Sequence, residues 1–306
     1  MRISRVFLFS CSFPLALMAY DKAPDSGLFF NDTSYKLVDP FDGKIYRGVK
    51  TALLVGPDDR PEIKHYSNSS MAQVEVMTLA AEGSVKAHRL DDDGVEQVFI
   101  VLEGQLEFVA GEQKLPAGAN DIVFIPAGLE RSFAVTGGQP AKMVRAEWRE
   151  KGAAVDKAAR AVVVSEKLRP LAHTGGEGYL TITPNPRQQM NPVSIISYGA
   201  SHINASNSLL LYSADITGVR PFTANTRFTR LGLSQYHPGG GTRWHFHADR
   251  EQCFVILSGK GLVEIGANTI EVKRGDILFA PRHVGHGYKT IGAEPLKFLE
   301  LEWGRN

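Results

Sequence analysis

A shift of 155 residues lays this chain upon itself. Glu96–Trp148 then aligns with Glu251–Trp303 without a gap, and 15 of the 53 paired positions are identical. Ordinary residue frequencies would give roughly three or four identities by chance. The identities include the turn formers Gly104/Gly259, Gly111/Gly266, Pro126/Pro281, Gly137/Gly292 and Pro140/Pro295. Glycine and proline set backbone dihedrals, so their recurrence predicts one backbone built twice.

Each copy reads as β. Val98–Leu102 and Cys253–Leu257 are apolar and β-branched, and stop at Gly104 and Gly259. Gln105–Val109 and Leu262–Ile265 follow, then Asp121–Ile125 and Asp276–Ala280, then Ala141–Trp148 and Leu296–Trp303. Further strands are expected at Gln73–Leu79, Phe228–Tyr236 and Val162–Val164. Short strands divided by turn residues predict a sandwich or barrel. Residues 21–70 read as a polar arm with a few strands, Ala153–Lys167 as a linker, and His173–Pro192 as a long loop that covers something.

The amino terminus does not belong to either copy. Arg2 and Arg5 precede an apolar run from Val6 to Met18, with the small Ala19 as a cleavage position. This is the pattern of a secretory signal, too short to span a bilayer permanently. The expected division is a signal at residues 1–19, a first unit at 20–150 and a second at 151–306, with a periplasmic or secreted location. Lys and Arg number 34 against 33 Asp and Glu, which leaves no electrostatic footprint for nucleic acid. No other apolar run is long enough to cross a membrane once the signal is removed. Cys11 and Cys253 are too few for a disulfide scaffold.

The second copy carries His245-Phe246-His247, Glu251 four residues on, and His286 on a later strand. Alternation along a strand points His245 and His247 the same way, and Glu251 shares that parity. Three imidazoles and a carboxylate inside a barrel suit a divalent first-row metal: Fe or Mn by preference, with Ni, Cu or Zn as alternatives. Arg243, by parity with His245, is either a contact for a substrate carboxylate or a solvated side chain. Tyr288 has the parity of His286 and is expected to line the pocket. His237 and His283 are either close to the ligands or in loops, and His283 is, with Arg243 and Tyr288, a candidate substrate contact. Cys253 reads as a small core residue near the metal.

Gly239-x5-His245-x-His247-x3-Glu251-x7-Gly259, followed by Gly275-x5-Pro281-x-His283-x2-His286, resembles the two motifs of the cupin superfamily. Through the repeat the resemblance covers both copies, which implies an all-β bicupin of two jelly-roll barrels in tandem. It also implies that His245, His247, Glu251 and His286 hold the metal. His283 departs from the pattern where a glycine is usual, and Thr290 where an asparagine is often found. In the first copy the matching positions hold Leu90, Asp92 and Arg131, so that barrel is expected to be metal-free. Its His88, Glu96 and Arg131 are then either a small-anion site or a satisfied core network.

These residues imply a metal-dependent protein acting on a small, oxygen-rich metabolite, with a dioxygenase-type oxidoreductase preferred. Fold does not choose the reaction. Gly94–Gly104 is similar to the first-barrel run of ureidoglycine aminohydrolases, whereas the His-x-His-x3-Glu spacing of the second barrel departs from theirs. A hydrolase is therefore one alternative, and a non-enzymatic sugar- or metabolite-binding cupin another. Cupins often pair through barrel faces, which makes a homodimer an expectation.

Overall fold

The computed structural model describes residues 28–40, 43–57, 65–69, 72–90, 94–149, 161–164, 179–181, 206–213, 224–225, 229–236 and 238–304. The expected signal, most of the linker, the His173–Pro192 loop apart from residues 179–181, and His237 lie outside them. The described residues are all-β, and no helix among them is long and apolar enough to cross a membrane.

The repeat is realised strand for strand. Val95–Glu103 in the first barrel corresponds to Arg250–Ser258 in the second, and Ala141–Arg149 to Leu296–Gly304. In both copies these two strands are antiparallel neighbours, with Trp148 opposite Glu96 and Trp303 opposite Glu251. His286–Thr290 is the strand expected to carry His286, whereas the strand pair Gln113–Gly118/Asn268–Lys273 and the strand Arg131–Val135 are additions to the sequence reading. Charged and glycine residues interrupt their apolar alternation. Gly104 and Gly259 sit at φ +83° and +74°, where a Cβ would come within 2.7 Å of Ala141 and would collide with the Pro295 carbonyl, respectively. That is why glycine recurs at this turn.

Alternation sorts the strand residues between two cores. Phe99, Val101, Phe108, Phe133 and Met143 fill the first barrel. Val98, Ile100 and Trp148 point the other way, into a cluster shared with Cys253, Val255 and Trp303 of the second. Phe124 stacks on Trp148 at 6.5 Å, and Phe279 on Trp303 at 6.1 Å. Arg274 of the second barrel bridges the seam, donating to the carbonyls of Leu257 and Leu102 and to Asn120 Oδ1.

Two short strands cross the division expected at residue 150. Phe29–Phe30 pairs with Ile277–Ala280 of the second barrel. Val162–Val164 pairs with Ile122–Ile125 of the first.

Candidate metal centre

His245 ends the Gly241–His245 strand and is the register partner of His286, which opens the His286–Thr290 strand. The pairing sets their rings 4.5 Å apart. His247 lies two residues past the strand end, with its ring 5.0 Å from His245 and 5.6 Å from His286. Its carbonyl accepts from the His283 N–H at 2.7 Å, tying the two loops together. One ligand atom from each of the three histidines falls within 4.8 Å of the others.

His286 is 1% exposed, and its Nδ1 lies 3.1 Å from the Val284 carbonyl. That carbonyl only accepts, so Nδ1 carries the proton and Nε2 keeps its lone pair. His247 Nε2 and His286 Nε2 are buried without a hydrogen-bond partner. Buried polar atoms are rarely left so, and nitrogen lone pairs converging at this separation fit a cation.

Burial, and then the neighbouring His245, holds His286 down to about 3 and His247 down to about 4. Both rings are therefore neutral at pH 7. An unfolded chain protonates such histidines near pH 6.5, while the metal-free folded protein refuses the proton down to about pH 3–4. Stability of the metal-free protein is thus expected to fall as pH drops below 6.5. Urea midpoints measured with a chelator between pH 7 and pH 4 should fall more steeply in wild type than in His286→Leu.

Glu251 does not join the histidines, which corrects the expected ligand set. Its Oε2 accepts from Trp303 Nε1 at 2.6 Å and from Ser69 Oγ at 2.5 Å, in the seam between barrels. The turn at Ala248-Asp249 breaks the parity that the spacing assumed. Cys253 shares that outward face and is a fully buried core residue in the cluster common to the two barrels; burial pushes its thiol well up. The inward face of Arg250–Ser258 instead presents Gln252 and Phe254, whose ring lies 5.5 Å from His286. Gln252 Nε2 donates to Glu300 Oε1 at 2.7 Å and Glu302 Oε1 at 2.8 Å, leaving Oε1 buried without a partner. Sequence reasoning passes over Gln252, although Gln97/Gln252 and Glu147/Glu302 are both among the repeat's identities.

Tyr288 is 2% exposed, packs on Phe254 at 5.0 Å and on His286 at 6.0 Å, and leaves its hydroxyl unpartnered. Burial raises its phenol well above the ordinary value, so it stays a neutral donor. His283 is exposed at φ +66°, the left-handed region that explains why its position favours glycine. It faces Phe246 at a ring distance of 6.4 Å, outside the histidine cluster. The backbone of Arg243 lies in Gly241–His245, but its side chain falls outside what the structure describes. Thr290 Oγ1 donates to the Tyr236 carbonyl at 3.0 Å.

In the first barrel Arg131 stands at the position of His286. Its Nε and Nη2 donate to the Leu129 carbonyl at 3.1 and 2.9 Å, and Nη1 donates to Gln97 Oε1 at 2.9 Å. Gln97 Nε2 donates in turn to Glu147 at 2.9 Å. His88 is the register partner of Arg131, but Glu96 turns to the seam and accepts from Trp148 Nε1 at 2.7 Å. The three residues expected to act together there are thus divided between two faces.

Comparison with known proteins follows the same division. The cupin-domain family model matches residues 75–146 and 232–302. A glyoxylate-induced protein of Pseudomonas aeruginosa superposes at a TM-score of 0.62 and 15% identity, over 88% of this chain and 85% of its own. Oxalate decarboxylase of Lactobacillus farciminis gives 0.52 at 14% identity, over 90% and 86%. Salicylate 1,2-dioxygenase of Pseudoaminobacter salicylatoxidans gives 0.52 at 12%, over 76% and 70%. At these identities the likeness is one of fold. An uncharacterized protein of Methanocaldococcus jannaschii is 38% identical over 61 residues, 20% of this chain and about half (49%) of its own length.

Proposed function

Because the chain carries two cupin domains in tandem and gathers three imidazoles in the second, we propose that it is a mononuclear metal-dependent oxidoreductase of dioxygenase type. The observation that carries this reading is the pair of neutral imidazoles whose buried Nε2 atoms have no hydrogen-bond partner. His245, His247 and His286 would hold the ion, with Fe or Mn preferred. When bound, such an ion supplies Lewis acidity and, if it is Fe, a site for dioxygen beside a chelated substrate. Tyr288 would donate a hydrogen bond from its neutral hydroxyl to a substrate oxygen, and Phe254 and Phe298 exclude water behind it. A barrel of this kind admits a small molecule and not a polymer. Among the proteins of this fold are a salicylate dioxygenase and an oxalate decarboxylase, both named for small carboxylates. Export through residues 1–19 and pairing into a homodimer belong to the same proposal.

Elemental analysis tests it. About one Fe or Mn per chain is expected in purified protein, lost in the His245→Ala/His247→Ala double variant. Oxygen uptake on small carboxylates and catechols should accompany the metal. Turnover without oxygen uptake would favour the hydrolase suggested by the Gly94–Gly104 run. Metal-free protein that binds metabolites equally well in the double variant would make it a binding module.

A further inference from the structure

The repeat supplies an internal control on what the second barrel holds. Four positions recur in both lumens. A glutamine, Gln97 or Gln252, donates Nε2 to a glutamate, Glu147 or Glu302. The carbonyl of Leu129 or Val284 accepts from the side chain two residues on, Arg131 or His286. In the first barrel the circuit is closed, because Arg131 Nη1 donates to Gln97 Oε1. In the second barrel His286 replaces the arginine, and Gln252 Oε1, the equivalent of the oxygen that accepts from Arg131 Nη1, is buried without a hydrogen-bond partner, as is His286 Nε2.

The orientation of the Gln252 amide is determined by its neighbours. Carboxylates accept and do not donate when ionised, so the NH2 group must face Glu300 and Glu302, and the oxygen is the equivalent of the Gln97 oxygen that meets residue 131, the counterpart of His286. The same two bonds polarise the amide and raise the basicity of Oε1.

We infer that Gln252 Oε1 is the fourth protein donor of the metal centre, giving a wholly neutral set of three imidazoles and one amide oxygen that favours an anionic chelating substrate. The inference rests on the metal reading above. Four neutral donors leave the charge of a divalent ion uncompensated by its ligands. A carboxylate or catecholate then supplies the anionic donor that the protein withholds. Arg131 is the counterpart of that ion, a cation carried by the chain itself.

Titration with Co(II), followed by its visible absorption, tests the inference without activity. Gln252→Leu should weaken Co(II) binding by about 100-fold, while Gln97→Leu, which breaks the same circuit in the first barrel, should leave it at the wild-type value. Gln252→Glu should keep Co(II) but weaken azide binding to the loaded protein by roughly tenfold, since it adds an anionic donor. His286→Arg should bind no Co(II) yet melt above His286→Ala, because the guanidinium can reach both the Val284 carbonyl and Gln252 Oε1. Wild-type affinity in Gln252→Leu, or unchanged azide binding in Gln252→Glu, would overturn the inference. Failure of wild type itself to bind Co(II) would instead overturn the metal reading.

Discussion

Replacing Arg131 by methionine is expected to lower the unfolding free energy by about 3–5 kcal/mol while leaving the metal content of the second barrel unchanged. Arg131 is 1% exposed, and its guanidinium satisfies the Leu129 carbonyl and Gln97 Oε1. Burial lowers it to about 10, opposed by Glu147, so it remains charged at pH 7. Methionine has comparable reach, and the loss is therefore not chiefly one of packing. What is lost is the hydrogen bonding of the buried Gln97 oxygen and the half-buried Leu129 carbonyl, together with a positive charge that acts on Glu147, which is 4% exposed. Arg131→Lys should fall between, because one ammonium lacks the planar fork that serves two acceptors. Urea unfolding of the three proteins reads the effect directly. A loss below about 1 kcal/mol in the methionine variant would show that the circuit contributes little stability.

Glu251→Leu separates two accounts of the same carboxylate. If Glu251 were a metal ligand, this change would cost metal and spare the fold. Its observed position predicts the reverse: a stability loss of about 2–4 kcal/mol with metal content retained. The substitution removes the acceptor that the Trp303 indole N–H and the Ser69 hydroxyl share, and leaves the indole only its longer bond to Ser69 Oγ at 3.2 Å. Trp303 is 1% exposed, so water does not replace it. Ser69 belongs to the first barrel's sheet, and the loss should loosen the seam between barrels. Metal analysis and unfolding on one preparation decide the matter. Depleted metal with unchanged stability would restore Glu251 to the ligand set.

The fold is largely legible in the sequence because the repeat fixes turns and strands together. Gly104/Gly259 and Pro126/Pro281 are backbone signals that tertiary context does not override. The three histidines are legible for a similar reason, since few other arrangements concentrate imidazoles at that spacing. Glu251 misleads because a charged oxygen is the more obvious ligand, and because parity does not carry across a turn that resets it. Counting inward from Phe254 and Phe99, which share a face by the repeat, selects Gln252 and Gln97 instead. The two crossing strands are not legible as crossings. Three apolar residues at Val162–Val164 indicate a strand, but nothing local says which barrel's edge it will meet.

Those crossings make each barrel depend on chain that belongs to the other. Phe30 meets Ile277 in the second barrel as Val164 meets Ile122 in the first, and Ile122 and Ile277 are equivalent positions. Each strand precedes one barrel and seals the edge of the other. The connectivity is that of an arm-swapped dimer tied end to end in a single polypeptide. A cut near residue 150 would strip each half of a strand and uncover an edge open to aggregation. The barrel with the histidines is thus completed only by its twin, whose own cation is a side chain.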